Sequence, residues 1–315
     1  MKLLRWVFFL LLSGCAAVPH GPMGTLTITG QIVVVKKLRD FHDATAMSID
    51  QFRNVFIVES AGNVVIKISP NGDSLRVASG FGADHYQFNA PSDVDAHLTN
   101  SVFISDRFNH RIEQYTKDLA YVSTLYTRDN TDAGTRFGYP AAVAVDDAGN
   151  IYLADGENKR VLKARSDFSV ERTIGGYSEA VRPDAVLSNP IDLAIADNQH
   201  LVVLDNGGRS LVEFDNLGNL LARTPLASPV RSIAASHDTV FALESDSARV
   251  RLFSGRGLVS IGGWILPRTD SDLSQAEDFQ VRGGTIYFLT REALYSCRLA
   301  RPSEQEPSSP SGSAN

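Results

Sequence analysis

Between residues 41 and 290 one pattern recurs six times, and a chain that repeats a unit of this size must bury its apolar surface by stacking copies. The first landmark is a large apolar residue three positions before a Pro or Ala. The pairs are Phe41 and Ala44, Phe88 and Pro91, Phe137 and Pro140, Leu187 and Pro190, Leu226 and Pro229, and Leu273 and Ala276. Successive second members lie 47, 49, 50, 39 and 47 residues apart. That spacing suits a sheet of four short strands per copy.

After each Pro or Ala come a short alternating segment, a turn, and a strongly β-prone run such as Val55-Phe56-Ile57-Val58, Val102-Phe103-Ile104-Ser105 or Ile151-Tyr152-Leu153-Ala154. The next residue is Glu59, Asp106, Asp155, Asp205, Glu244 or, in the last copy, Thr290. A carboxylate at the start of a tight turn accepts backbone N–H bonds and pairs with a following Arg. The expected partners are Arg111, Arg160, Arg209 and Arg249, four or five residues further on. This is chiefly a structural role.

Two copies carry a fuller signature, Asp106-Arg107-Phe108-Asn109-His110-Arg111-Ile112 and Asp155-Gly156-Glu157-Asn158-Lys159-Arg160-Val161. It resembles the NHL repeat, in which an Asp, then Asn and Arg, then an aliphatic residue cross the turn between second and third strands. Phe81-Gly82 and Phe88-Asn89-Ala90-Pro91 resemble that family's inter-blade segment. The resemblance covers about residues 25–299 and implies an all-β, six-bladed β-propeller. Copies one, four, five and six are looser.

Ring closure needs a strand from elsewhere, because the sixth copy stops at Leu299 without room for a fourth strand. Residues 26–35 are β-prone and belong to no preceding copy, so they are expected to close the last blade and protect its edge. Ahead of them, Lys2 and Arg5 precede an apolar run from Trp6 to Leu12, too short for a membrane-spanning helix and suited to a signal peptide. Leu12-Ser13-Gly14-Cys15 resembles the bacterial lipobox, which implies cleavage before Cys15 and a lipid on its thiol. The expected organisation is a signal peptide over residues 1–14, a lipidated linker over 15–24, the propeller over 25–299 and a Ser/Pro-rich disordered tail over 300–315. The expected location is the cell envelope, at the outer membrane if the organism has one. Cys297 falls in a predicted strand as a small buried apolar residue.

Removal of Lys2 and Arg5 takes the formal charge from −6 to −8. With no Lys/Arg run, an acidic chain is not expected to bind nucleic acid. No G-x-S-x-G, H-E-x-x-H, G-x-x-x-x-G-K or C-x-x-C motif is present.

Two residues after each Pro or Ala, where the first strand enters the channel, stand Ala46, Asp93, Ala142, Asp192, Arg231 and Asp278. Asp93, Asp192 and Asp278 would face a common axis and attract a divalent cation or a cationic ligand group, or else pair with Arg231 or with solvent. His42, His85 and His110 fall in loops at that same end and are weak metal-ligand candidates; the resemblance matches no zinc-ligand set here. Tyr86, Tyr139 and Tyr177 sit in the inter-blade connections at positions that do not repeat, which suits a contact surface. The resemblance implies an interaction role, here an envelope-anchored binding or scaffolding propeller for a protein or glycan. The alternative from another class is a metal-dependent propeller hydrolase or lyase using the channel.

Overall fold

The computed structural model describes residues 27–300, apart from 99, 178–181, 197–198, 246 and 268–272. Cys15, Leu26 and the tail from residue 301 lie outside the described residues, as do the expected signal peptide and linker.

The chain is all-β, with three short 3-10 turns and no α-helix among the described residues. Residues 44–79, 91–126, 140–174 and 192–225 each form a four-stranded antiparallel meander. The rest is one eight-stranded sheet, so the structure has five sheets where six separate ones were expected. In it, the four strands of residues 230–265 and the three strands of residues 278–299 are joined by the N-terminal strand Ile28–Asp40.

That strand lies where the missing fourth strand was expected, and it does more. It pairs antiparallel with Ala293–Leu299, from Ile32 opposite Leu299 to Asp40 opposite Ala293. It extends five residues beyond Val35. Its first residues turn to a second partner, pairing parallel with Ser260–Ile265 through Ile28 opposite Gly263 and Gly30 opposite Trp264. Small residues make this seam feasible. A Cβ on Gly30 would meet Leu299 and Trp264 at 3.0 and 3.1 Å, and one on Gly262, at φ +149°, would meet Thr29 at 2.5 Å.

The first strands of the units, Ala44–Ile49, Pro91–Asp95, Pro140–Val145, Asp192–Ile195, Val230–Ser236 and Asp278–Arg282, pack in a ring, each against the next and the last against the first. Each starts where the long inter-unit connections lie, the connection end, and finishes in a turn at the opposite, hairpin end. Apolar side chains fill the spaces between neighbouring sheets. Phe88 and Phe56 pack with Val102 and Tyr115 between the first two units; Phe137 and Val143 pack with Ile112 between the second and third. All six apolar landmarks of the repeat are buried, none more than 9% exposed. Neither face of a single sheet could be covered without its neighbours, and so the repeat length and the stacking are one fact.

Candidate functional site

At the connection end the recurring acids of the first four units tie each sheet to the segment that leads into it. Asp106 accepts the Asn89 backbone N–H at 2.8 Å, Asn109 Nδ2 at 2.7 Å and Arg111 Nε at 2.8 Å. Arg111 then donates to the Ala83 and Gln87 carbonyls, both at 2.7 Å. Asp155 and Arg160 repeat the arrangement at 3.0 Å. Two of the expected partners are corrected. Ser210, not an arginine, stands opposite Asp205 in register, and Arg223 from the fourth strand reaches that carboxylate at 3.1 Å while Arg209 stays exposed. Glu244 pairs with Arg251; Arg249 is exposed.

Asp93, Asp192 and Asp278 do converge on the channel, and hydrogen bonding explains why acids occupy alternate units. An innermost strand has an edge facing the channel, and its N–H groups there need acceptors. Asp93 accepts Val94 N–H and, from the next unit, Val143 N–H, each at 2.8 Å. Asp192 accepts Leu193 N–H and Ile233 N–H, each at 2.7 Å. Asp278 accepts Phe279 N–H and Met47 N–H, each at 2.7 Å, the second across the junction of last and first units. One carboxylate has two oxygens and serves two strands, so three serve the whole ring of six.

Arg231 is not part of this set. Ser232 pairs with Leu243, the residue before Glu244, as Asp93 pairs with Ser105, the residue before Asp106, so Ser232 takes the channel position and donates from Oγ to Asp278 at 2.6 Å. Arg231 instead donates to the Ala276 carbonyl at 3.1 Å and lies 3.7 Å from Glu277. Arg231 therefore places no guanidinium among the three carboxylates. Burial raises the Asp93 carboxyl well above the usual range, and the charges of Asp192 and Asp278 add to this. Burial, then the charge of Asp278, lifts Asp192 to about 7, and burial lifts Asp278 to about 6.

The channel holds a cavity of about 240 Å³. Its lining starts on each inner strand at Met47, Asp93, Val143, Asp192, Ile233 or Asp278 and continues toward the hairpin end; no earlier residue of these strands lines it. The cavity thus ends at the aspartates and opens at the hairpin end, not at the entrance the sequence singled out. Its rim carries His97, Asp147, Gln199 and Arg282, which sequence reasoning missed. The available signal was Asp95, two residues after Asp93 and hence on the same strand face. Asp95 accepts Val145 N–H at 2.9 Å and His97 Nδ1 at 2.8 Å. Although burial opposes both charges, Asp95 is held below its ordinary value by His97, and His97 above its own by Asp95.

The three loop histidines are not brought together. His85 stacks on Tyr121 at 3.7 Å, His110 meets the Tyr139 ring at 4.5 Å, and the His42 backbone N–H donates to Glu59. Among the described residues no three His, Cys, Asp or Glu side chains are placed to hold a metal ion. The candidate tyrosines differ: Tyr177 is 86% exposed, whereas Tyr86 accepts the Tyr121 N–H and Tyr139 packs edge-on to Phe108 at 5.9 Å.

Comparison with known proteins agrees with the turn chemistry. The model of the NHL repeat matches residues 137–163, the third unit with its Asp155, Asn158 and Arg160. The chain carries an NHL repeat. It is 25% identical over 173 residues to human NHL repeat-containing protein 3, a match covering 49% of each protein, so the chain spans about half the length of that NHL relative. In architecture it is similar to virginiamycin B lyase from Staphylococcus aureus, with TM-score 0.59 at 13% identity over 82% of this chain and 80% of that one. It is also similar to a chain of the nidogen/laminin complex, with TM-score 0.56 at 14% identity over 70% and 80%. These NHL-type and propeller likenesses at low identity establish the β-propeller fold.

Proposed function

We propose that this chain is a six-bladed binding propeller, held in the cell envelope by lipid on Cys15, whose connection end docks a protein or glycan partner. Counting the eight-stranded sheet as two blades joined at the N-terminal strand gives six, in keeping with the ring of inner strands. The observation that carries the binding reading is a band of exposed aromatic side chains at the connection end. Phe81, in the connection between the first and second units, is 73% exposed; Phe108, in the turn after Asp106, 49%; and Tyr177, in the connection between the third and fourth units, 86%. Arg107 and Arg128 lie over the Phe108 and Tyr139 rings. Aromatic and Arg side chains together are what binding hot spots are made of, and large exposed apolar groups are retained at a cost to solubility. The lipid reading rests on the Leu12 to Cys15 motif alone.

The test is site-specific photo-crosslinking in the native envelope, with the probe at position 108, at 177 or, as a hairpin-end control, at the exposed Leu217. Discrete adducts from the first two positions and none from Leu217 are expected. The adduct from position 177 should vanish in a Phe81→Ser, Phe108→Ser double variant that melts like wild type. Equal labelling from all three positions would overturn the reading. Separately, Cys15→Ala should leave the membrane fraction; unchanged fractionation without lipid in the mass spectrum would refute the anchor.

A further inference from the structure

The cavity mouth carries two opposite charges on opposite sides of the ring. Arg282 belongs to the last unit and Asp147 to the third, three places apart in a ring of six inner strands. Asp147 is 80% exposed but positioned from both sides: Gln199 donates Nε2 to its Oδ2 at 3.0 Å, and His97 Nε2 lies 3.8 Å from its Oδ1. The Arg282 side chain, half-buried, makes no hydrogen bond or ion pair among the described residues, and its charge acts on those of His97 and Lys117, which have the same sign. A guanidinium lining a cavity with five unused donors has a geometry that suits a carboxylate. The walls between are inner-strand backbone and small side chains such as Ala144, Ala194 and Ala234.

We propose that the channel binds a small zwitterion of the amino-acid class, its carboxylate on Arg282 and its ammonium toward Asp147 and the acidic end of the cavity. The chemistry favours this over a simple ion. A bare anion would face Asp93, Asp192 and Asp278 at the closed end, and a bare cation would leave Arg282 unused. A volume of about 240 Å³ is below the range for drug-sized ligands and fits a molecule of amino-acid size. The site is at the opposite end of the propeller from the aromatic band, so the two readings stand or fall separately.

The experiment is thermal melting and calorimetric titration of the protein with glycine, leucine, glutamate and lysine, each compared with its N-acetyl and its amide derivative. A ligand that binds only the folded state raises the melting temperature with concentration. At least one free amino acid should do so, while its N-acetyl and amide forms do not. Arg282→Gln should abolish that shift without lowering the ligand-free melting temperature, since Arg282 holds no other group, and Asp147→Asn should weaken it at least tenfold in Kd. No shift with any of the four, equal shifts with the blocked derivatives, or an unchanged shift in Arg282→Gln would each overturn the proposal.

Discussion

At the scale of single residues, Asp106 has the heaviest duty at the connection end. It is fully buried and holds a backbone N–H, an amide side chain and a guanidinium that itself ties down two carbonyls of the preceding connection. Asp106→Ala strands Arg111 among those groups, so it should cost about 3–5 kcal/mol of unfolding free energy in denaturant titration. Arg209 and Arg223 give a sharper comparison. Arg209→Ala should stay within about 0.5 kcal/mol of wild type. Arg223→Ala removes bonds to Asp205 and to the Asp184 and Val186 carbonyls and should cost about 1–3 kcal/mol. The acids and the arginines of the second and third units could be read from sequence because both partners fall on one hairpin with fixed spacing. Arg223 could not, because it arrives from the next strand through sheet register, and Arg231 was misplaced because the first hairpin of its unit is one residue shorter, Ser232 lying 12 residues before Glu244 where Asp93 lies 13 before Asp106.

At the scale of strands, the three channel carboxylates act as clasps between neighbouring inner strands and carry a pH dependence of definite sign. Their folded pKa values lie above the ordinary 3.8, at about 7 for Asp192 and about 6 for Asp278. The stability they contribute is therefore full below about pH 4 and is lost as pH rises through 6 and 7. Melting temperature should fall across pH 5 to 8, and Asp93→Asn with Asp192→Asn should flatten that slope even while costing stability at low pH. A wild-type melting temperature that rises across that window would contradict the assignment. The alternation of acids along the chain was legible; the reason for it was not, since inner-strand N–H groups become orphans only once the ring exists. The N-terminal strand behaves in the same way: its β-propensity announced a closing strand, but the parallel seam depends on the close approach allowed at Gly30 and Gly262. Gly262→Val should loosen that seam and lower the melting temperature by several degrees, about what 1–2 kcal/mol produces in a domain of this size.

At the scale of the molecule, the two ends of the propeller differ in kind. Long connections, recurring acids and exposed aromatics lie at one, and the cavity mouth with His97, Asp147 and Arg282 lies at the other. Repeat spacing located the first end, because its acids and apolar landmarks recur. The cavity mouth has no such repeat: His97, Asp147, Gln199 and Arg282 come from four different units, and only closure of the ring brings them together. The N-terminal strand runs antiparallel to Ala293–Leu299, so Ile28 lies at the hairpin end. If a lipid on Cys15 fixes the chain at a membrane, the strand that seals the ring is also the strand on which the tether pulls. Tension along that strand loads its bonds to two neighbours in shear, all at once, instead of peeling them one by one. Resistance to forced unfolding is set by the rate of opening, so a lipid-tethered propeller of this topology should outlast, under steady pull, its Gly262→Val variant, in which one of the two pairings is loosened.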